Sequence, residues 1–380
     1  MKSGEIIWTN LLPIFFGGTG TDEEYDIYET GGAATAAEEG YAVGARQKRW
    51  LLIATVLTLV LSIFLMLWWR NDRFSLFQIF QGFFSFSSST IIGRYVWNID
   101  MPIIVASLAV GAGLSLAGTV MQCVLKNPLA SPYTLGVSGA AAFGAALSII
   151  VFNGGAVFAG TFLSTYCTPI CAFAFSMIAT GAILLLTKAT KISSETMVLA
   201  GIAISAIFSA GMTLMQYLAD SVQLSEIVSW TFGTVAYANW SWDAVVVLVV
   251  LLITVYFMVQ RWNMNAMEAG DEVAKGLGVN TDRFLTVSMV LASVLAAFLV
   301  AKFGIIAFIG LLGPHMARML IGNDHRYLVP MSLLLGMLLM VVANAVAMDI
   351  VRPMILPVGL LTSLLGGPAF IYLLLRRFRR

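Results

Sequence analysis

Charged residues are scarce in this sequence. Only 11% of its 380 residues are Asp, Glu, Lys or Arg, against roughly 25% in an ordinary soluble domain. A formal net charge of +1 lacks the basic excess of a nucleic-acid-binding protein, so no nucleic-acid partner is expected. Three cysteines are too few for a disulfide framework. At 59% hydrophobic residues, a soluble enzyme of this length would lack the polar surface that covers a core.

Motifs for metal binding and ATP hydrolysis are also missing. The two histidines, His315 and His325, do not form an H-E-x-x-H pair, and no G-x-x-x-x-G-K-[ST] phosphate loop occurs. Ionisable residues such as Asp100, Lys302 and Asp349 fall near the ends of apolar runs, so no ion relay is indicated. We therefore expect no enzymatic activity, metal or cofactor in this chain.

Long apolar runs indicate an all-α membrane protein, because about 20 apolar residues span a bilayer as a helix. The run from 127 to 187 has no charge and is long enough for two spans, with a break at Asn153-Gly154-Gly155. Ten spans are predicted, near residues 50–69, 101–125, 134–152, 164–187, 196–218, 243–260, 284–301, 303–320, 328–347 and 355–375.

Basic residues predict the orientation of these spans. Ten spans place both termini on one side. That side carries 15 of the Lys and Arg residues that follow residue 45, and the other side carries five. The positive-inside rule then puts both termini in the cytoplasm. The longest cytoplasmic connection of the membrane body is 261–283, whose mixture of methionines and charges predicts short surface helices.

The N-terminal region differs in composition from the rest of the chain. The first 45 residues hold eight acidic side chains and one lysine. Two domains are therefore expected, an acidic cytoplasmic extension over 1–49 and a ten-helix membrane domain over 50–380.

The fifth span contains small and polar residues at intervals of about four. They are Gly201, Ser205, Ser209, Thr213 and Gln216. Small residues at this spacing favour close helix packing. Hydroxyl groups gain nothing from facing lipid, so a hydrated translocation pathway is the alternative, and the spacing leaves both interpretations open.

Several fragments of the sequence resemble the FecCD-type permeases of ABC importers for iron-siderophores, haem and cobalamin. Each fragment alone is modest, but together they cover residues 50–380 in order and with the spacing of that family. The matching fragments are 111–122 continuing to 127–130 and 135–138, then 199–201, 308–318, 324–326 and 356–370.

This resemblance implies a type II importer fold in the cytoplasmic membrane of a prokaryote. Its expected partners are a second permease subunit, two ATPase subunits that bind ATP, an extracytoplasmic substrate-binding protein and the bilayer. The resemblance also implies roles for individual residues. The fifth-span residues would line the pathway, and Ser193, Ser194 and Glu195 match a cytoplasmic gate. Contacts with the ATPases would come from Met264, Asn265, Glu268, Gly276, Leu277 and Gly278.

The chain departs from the family where the binding protein docks. Many members carry arginines flanking the proline before the second span, and another before the last span. Here the first site reads Asp100-Met101-Pro102-Ile103 and the second position holds Met348, so Arg94, Asp100 and Arg352 are the candidate docking residues. A ferric siderophore is the expected cargo, haem or cobalamin on the same scaffold is the alternative, and a secondary transporter is a third possibility.

Overall fold

A computed structural model describes residues 27–70, 75–84, 90–190, 194–351 and 353–378. All regular structure in these ranges is helical, as expected for an all-α membrane protein. Residue contacts divide the chain into two units, 1–49 and 50–380. The cytoplasmic location of the first unit and of both termini stays a prediction.

The described ranges contain fifteen α-helices and two short irregular helices. A π-helical turn, Val96–Asp100, leads into α4, and a 3-10 turn, Asn153–Phe158, follows α5. The α-helices are α1 (Ile27–Arg70), α2 (Leu76–Phe84), α3 (Ile91–Tyr95), α4 (Met101–Val124), α5 (Val137–Val151), α6 (Leu163–Thr190), α7 (Ser194–Leu218), α8 (Ser221–Thr231), α9 (Trp240–Val259), α10 (Arg261–Ala269), α11 (Asp271–Gly276), α12 (Thr281–Phe303), α13 (Ile309–Ile321), α14 (His325–Asp349) and α15 (Val358–Phe378).

Seven helical stretches in the described residues are long and apolar enough to cross a membrane. They lie in α1, in α3 continuing through the π-helical turn into α4, and in α6, α7, α9, α12 and α14. Three further predicted spans coincide with shorter apolar helices, Val137–Val151, Ile309–Ile321 and Val358–Tyr372. The helical nature of all ten apolar segments was therefore predictable, but their lengths were not.

The eighth predicted span, 303–320, is wrong in its boundaries. The structure ends α12 at Phe303 and begins α13 at Ile309. Between them, Gly304 and Phe308 have positive φ angles of 74° and 66°, which a right-handed helix does not allow. At 1.5 Å per residue, the 13 residues of α13 cover about 20 Å, less than the ~30 Å hydrocarbon core.

Helix α4 is the centre of the membrane unit, and nearly all its side chains are buried. Two of its glycines permit this packing. A Cβ atom on Gly111 would collide with the backbone at Gly336 of α14, and one on Gly118 would collide with the backbone of Gly310 in α13. The Ser115 hydroxyl donates to the carbonyl oxygen of Ser332 at 2.7 Å. Small residues thus bring three helix backbones into direct contact, as is typical of membrane helices.

Two connections between the predicted spans contain short helices. The connection after α1 holds α2, and the connection between α7 and α9 holds α8. Asp220 caps α8 by accepting hydrogen bonds from the N–H groups of Val222 and Gln223, both at 2.8 Å. This side-chain cap satisfies donors that a helix start leaves unpaired.

Candidate functional site

One face of α7 packs against α5 and the turn that precedes it. A Cβ atom on Gly201 would lie 2.9 Å from the Leu135 Cα atom, and one on Gly136 would lie 2.9 Å from the Ser205 hydroxyl oxygen. Further along, Phe208 packs on Phe143 with ring centroids 5.7 Å apart. The first two members of the predicted stripe are therefore packing residues in this chain.

The later members of the stripe lie on another side of α7 and are less buried. Ser209 and Thr213 are exposed on the isolated chain, and Gln216 is half-buried. The reason is geometric: steps of four residues advance a helix by about 40° beyond a full turn, so the stripe has rotated about 120° between Gly201 and Thr213. The stripe is therefore not one continuous face of α7, and the pathway role of its members stays a prediction.

The predicted gate lies at the beginning of α7. Ser194 and Glu195 occupy its first two positions, and Ser193 lies outside the described residues. The gating role stays a prediction.

The first half of the predicted coupling segment faces the protein interior. Met264 on α10 is fully buried, and its carbonyl oxygen accepts a hydrogen bond from Cys123 at 3.4 Å. The Asn265 side chain donates to Asp324 at 3.0 Å and accepts from the backbone N–H of His325 at 2.8 Å. One oxygen of Glu268 is also buried, without a hydrogen-bond partner. Met264 therefore packs α10 against α4, and Asn265 ties α10 to the start of α14. The role of Met264, Asn265 and Glu268 in coupling stays a prediction.

The second half of the segment faces outward. Leu277 is 70% exposed, and nothing approaches within 4 Å of a Cβ atom built on Gly276 or Gly278. An ion pair of 2.7 Å between Lys126 and Asp271 connects α11 to the turn after α4. This half, with an exposed apolar side chain between two unobstructed glycines, is the part of the segment available to a partner.

Two of the predicted docking residues, Arg94 and Asp100, lie at the opposite end of α4 and differ in exposure. Arg94 is exposed at the end of α3, and Arg352 lies outside the described residues. Asp100 is only 2% exposed, and the Arg70 guanidinium pairs with it at 2.6 Å. A carboxylate held in this way binds α1 to α4, so a direct docking role for Asp100 is not supported by its position.

Arg70 is a residue that sequence reasoning missed. Besides pairing with Asp100, its guanidinium lies 3.2 Å from the Met348 sulfur. Arg70 therefore joins the two positions at which the family resemblance leads one to expect arginines. Its place beside Trp68 and Trp69 at the end of the first span was the available signal.

A second unpredicted pair involves Asp243 and Lys302. Asp243 is completely buried in the first turn of α9, and neither carboxylate oxygen has a hydrogen-bond partner. The Lys302 ammonium lies 4.9 Å from the centre of the Trp242 ring, within the range of a cation–π interaction. Both residues looked like unremarkable helix-end charges in the sequence.

Known proteins share this arrangement of helices. A family model described as the FecCD transport family matches residues 54–376. A protein of Methanocaldococcus jannaschii named as an ABC transporter permease, MJ0087, is 42% identical over 90% of this chain and 98% of its own length. The hemin transport system permease HmuU of Yersinia pestis is 36% identical over 74% of this chain and 84% of its own length.

A solved structure is similar as well. It is described as an inward-facing conformation of a metal-chelate type ABC transporter. It has a TM-score of 0.72 and 28% identity, and the match covers 86% of this chain and 99% of the solved one. The fold is therefore that of a type II ABC importer permease. This chain belongs to the FecCD transport family of ABC importer permeases.

Proposed function

We propose that this chain is the permease subunit through which a ferric siderophore crosses the cytoplasmic membrane of a prokaryote. Two copies, or this chain and a close relative, would pair around a central pathway. ATP hydrolysis by two partner ATPases would drive alternating access, and an extracytoplasmic binding protein would deliver the cargo.

The observation that supports a bulky chelate is the chemistry of α7. Its exposed face carries hydroxyl groups at Ser209 and Thr213, and Glu195 at its start is its only charged residue. Beyond Glu195, α7 offers a passing cargo no charged side chain. A chelate already surrounds its metal, so a weakly polar surface that forms few strong contacts lets it pass without trapping it.

The outward half of the coupling segment is the proposed contact with the ATPases. Leu277 is an exposed apolar side chain, and α10 behind it is anchored to α4 and α14. A force applied at Leu277 would therefore reach two spans through packed helices. We propose that Gly276, Leu277 and Gly278 form the contact and that Met264, Asn265 and Glu268 transmit it.

Haem is the second candidate cargo, because the relative at 36% identity is named for hemin. Relatives named for iron(3+)-hydroxamate and for vitamin B12 are 33% and 34% identical. These three sequence identities are too similar to show which cargo this chain carries. The exposed α7 face, which lacks charged side chains, suits all three.

The test is uptake into proteoliposomes that contain the permease, an ATPase and a binding protein encoded beside it. A ferric hydroxamate siderophore, haem and cobalamin would be offered separately, with and without ATP inside. We expect ATP-dependent accumulation of the siderophore. Preferential haem uptake would replace the cargo assignment, and uptake driven by an ion gradient without ATP would overturn the importer assignment.

A further inference from the structure

Three side chains with metal-ligating atoms meet where α10 lies against the ends of α4 and α14. They are Cys123, Glu268 and His325, and one ligand atom from each lies within 4.8 Å of the other two. The three residues come from three separate helices, so no sequence motif could reveal them. None of the roles proposed above uses this convergence.

The hydrogen bonds of His325 fix which ring nitrogen is available. Its Nδ1 lies 2.9 Å from the Asn265 side-chain oxygen, which already accepts from the His325 backbone N–H. Because that oxygen only accepts, Nδ1 must carry the proton. The other nitrogen, Nε2, is then an unprotonated lone pair, the form in which histidine binds a metal.

Asn265 is itself held in place. Its amide nitrogen donates to the Asp324 carboxylate at 3.0 Å. A carboxylate that orients the partner of a histidine is the usual outer layer of a protein metal site, where it sets the ring orientation.

The ligand atoms of this cluster are buried, and two of them lack a hydrogen-bond partner. Cys123 and His325 are fully buried, and neither His325 Nε2 nor Glu268 Oε2 has a hydrogen-bond partner. Buried polar atoms are almost always paired. A bound cation would satisfy both acceptors, and it would replace the proton of the Cys123 thiol, which otherwise donates to the Met264 carbonyl oxygen at 3.4 Å.

The local charges balance when a divalent cation is present. Arg318 and Lys126 are the nearby cations. Lys126 is paired with Asp271, whereas two guanidinium nitrogens of Arg318 lack hydrogen-bond partners. A divalent cation and Arg318 supply three positive charges. The Cys123 thiolate, Glu268 and Asp324 supply three negative ones, once the thiol has released its proton to water on binding.

We propose that Cys123, Glu268 and His325 bind one divalent transition-metal cation of the Zn²⁺ type. Sulfur, nitrogen and carboxylate oxygen are the donors that Zn²⁺ takes in proteins, at about 2.0–2.3 Å. Tetrahedral ligands at those distances lie about 3.5 Å apart. The three ligand atoms lie within 4.8 Å of one another, so metal binding would draw them together by no more than about 1.3 Å.

Such a cation would join α10 to the ends of α4 and α14. If the proposed function holds, the cation would stiffen the attachment of α10, which connects the ATPase contact to the spans. The metal concentration in the cytoplasm would then affect how ATP hydrolysis is coupled to transport. That consequence rests on the proposed function, whereas metal binding itself does not.

The experiment uses the purified full-length chain without a polyhistidine tag, stripped with a chelator and titrated with Co²⁺ and with Zn²⁺. We expect one metal per chain, and a cobalt spectrum with a thiolate-to-metal charge-transfer band. Cys123→Ser should remove the band, whereas Cys167→Ser, at a buried cysteine outside the cluster, should keep it. Asn265→Ala should weaken binding about 10–100-fold, as loss of an outer-layer partner does, without changing the stoichiometry.

The titration needs neither ATPase nor cargo, so it can fail or succeed independently of the transport assignment. Absence of a thiolate band in the wild-type chain would overturn the proposal, even if His325→Gln or Glu268→Gln fails to fold. Retention of one bound metal in both Cys123→Ser and His325→Gln would do so as well.

Discussion

Helices α4 and α7 have the same mean hydropathy and opposite surroundings. The most apolar window of each has a value of 2.0, yet 89% of that window is buried in the span that contains α4 and 11% in α7. A membrane helix is apolar whether lipid or protein surrounds it, so its mean hydropathy does not distinguish a buried helix from an exposed one. Backbone contact is what separates the two helices: α4 reaches α13 and α14 through its glycines, whereas α7 contacts α5 along one side.

This difference indicates which helix is scaffold and which is working surface. Hydroxyl groups gain nothing from facing lipid, so an exposed hydroxyl-bearing face suits another subunit or a hydrated pathway better than lipid. We interpret α4 as the fixed centre of the subunit and the outer face of α7 as the pathway side.

The sharpest test of the comparison is the same substitution in both helices. Ala117→Leu in α4 adds three carbons at a fully buried site, and overpacking of this kind costs about 1–3 kcal/mol or more. Ala206→Leu lies on the exposed side of α7 and should change stability by less than about 0.5 kcal/mol. Thermal unfolding of the purified single subunit measures both. Equal losses would remove the distinction between the two helices.

The ion pair at the N-terminal end of α4 should matter about as much. Asp100→Asn leaves Arg70 without its buried partner, and removing one partner of a buried pair costs about 3–5 kcal/mol. Because the Arg70 side chain is 24% exposed, water offsets part of this, and the lower end of that range is expected in chemical denaturation. A stability change below about 0.5 kcal/mol would show that the pair is not structural and would return Asp100 to the list of docking candidates.

A charge introduced on the outward half of the coupling segment should weaken binding of the ATPase without unfolding the chain. Leu277→Asp replaces an exposed apolar contact and should weaken ATPase association at least tenfold, an effect of about 1.4 kcal/mol. Val222→Asp makes the same change at another exposed position, on α8, and should leave association unaltered. Pull-down with the purified ATPase compares them, and similar behaviour of the two variants would argue against a contact at Leu277.

The smallest expected effect is at the exposed pair beside that surface. Lys126 and Asp271 are 35% and 58% exposed, and such pairs contribute about 0.2–1 kcal/mol. Asp271→Asn should therefore shift the melting temperature only slightly, and high salt should remove the shift because exposed pairs are screened. A large, salt-independent loss would mean that Asp271 has a buried role.

The sequence sufficed for the helical class, the family and the position of most spans, because apolar length and small-residue spacing are local properties. It did not reveal that α13 is short, since that depends on the left-handed backbone at Phe308. It also treated the α7 residues as one stripe, because a spacing of four looks regular along the chain although it drifts around a helix of 3.6 residues per turn.

The contacts between distant segments were beyond sequence reasoning. Nothing local marks Arg70 as the partner of Asp100, or Asn265 as the link between α10 and His325. Glu268 was assigned to the ATPase contact through the family resemblance. The burial of its Oε2 atom depends on how α10 lies on α4, which only the folded chain shows.

The central claim, that the outer face of α7 is hydrated rather than covered by lipid, is tested most directly by thiol labelling in proteoliposomes. Ser209→Cys on α7 and Leu251→Cys on the exposed side of α9 would each be treated with a water-soluble, membrane-impermeant thiol reagent, with the wild-type chain as background. The account predicts labelling of Ser209→Cys, slowed by bound cargo, and none of Leu251→Cys. Absence of labelling at both positions in every nucleotide state would contradict it.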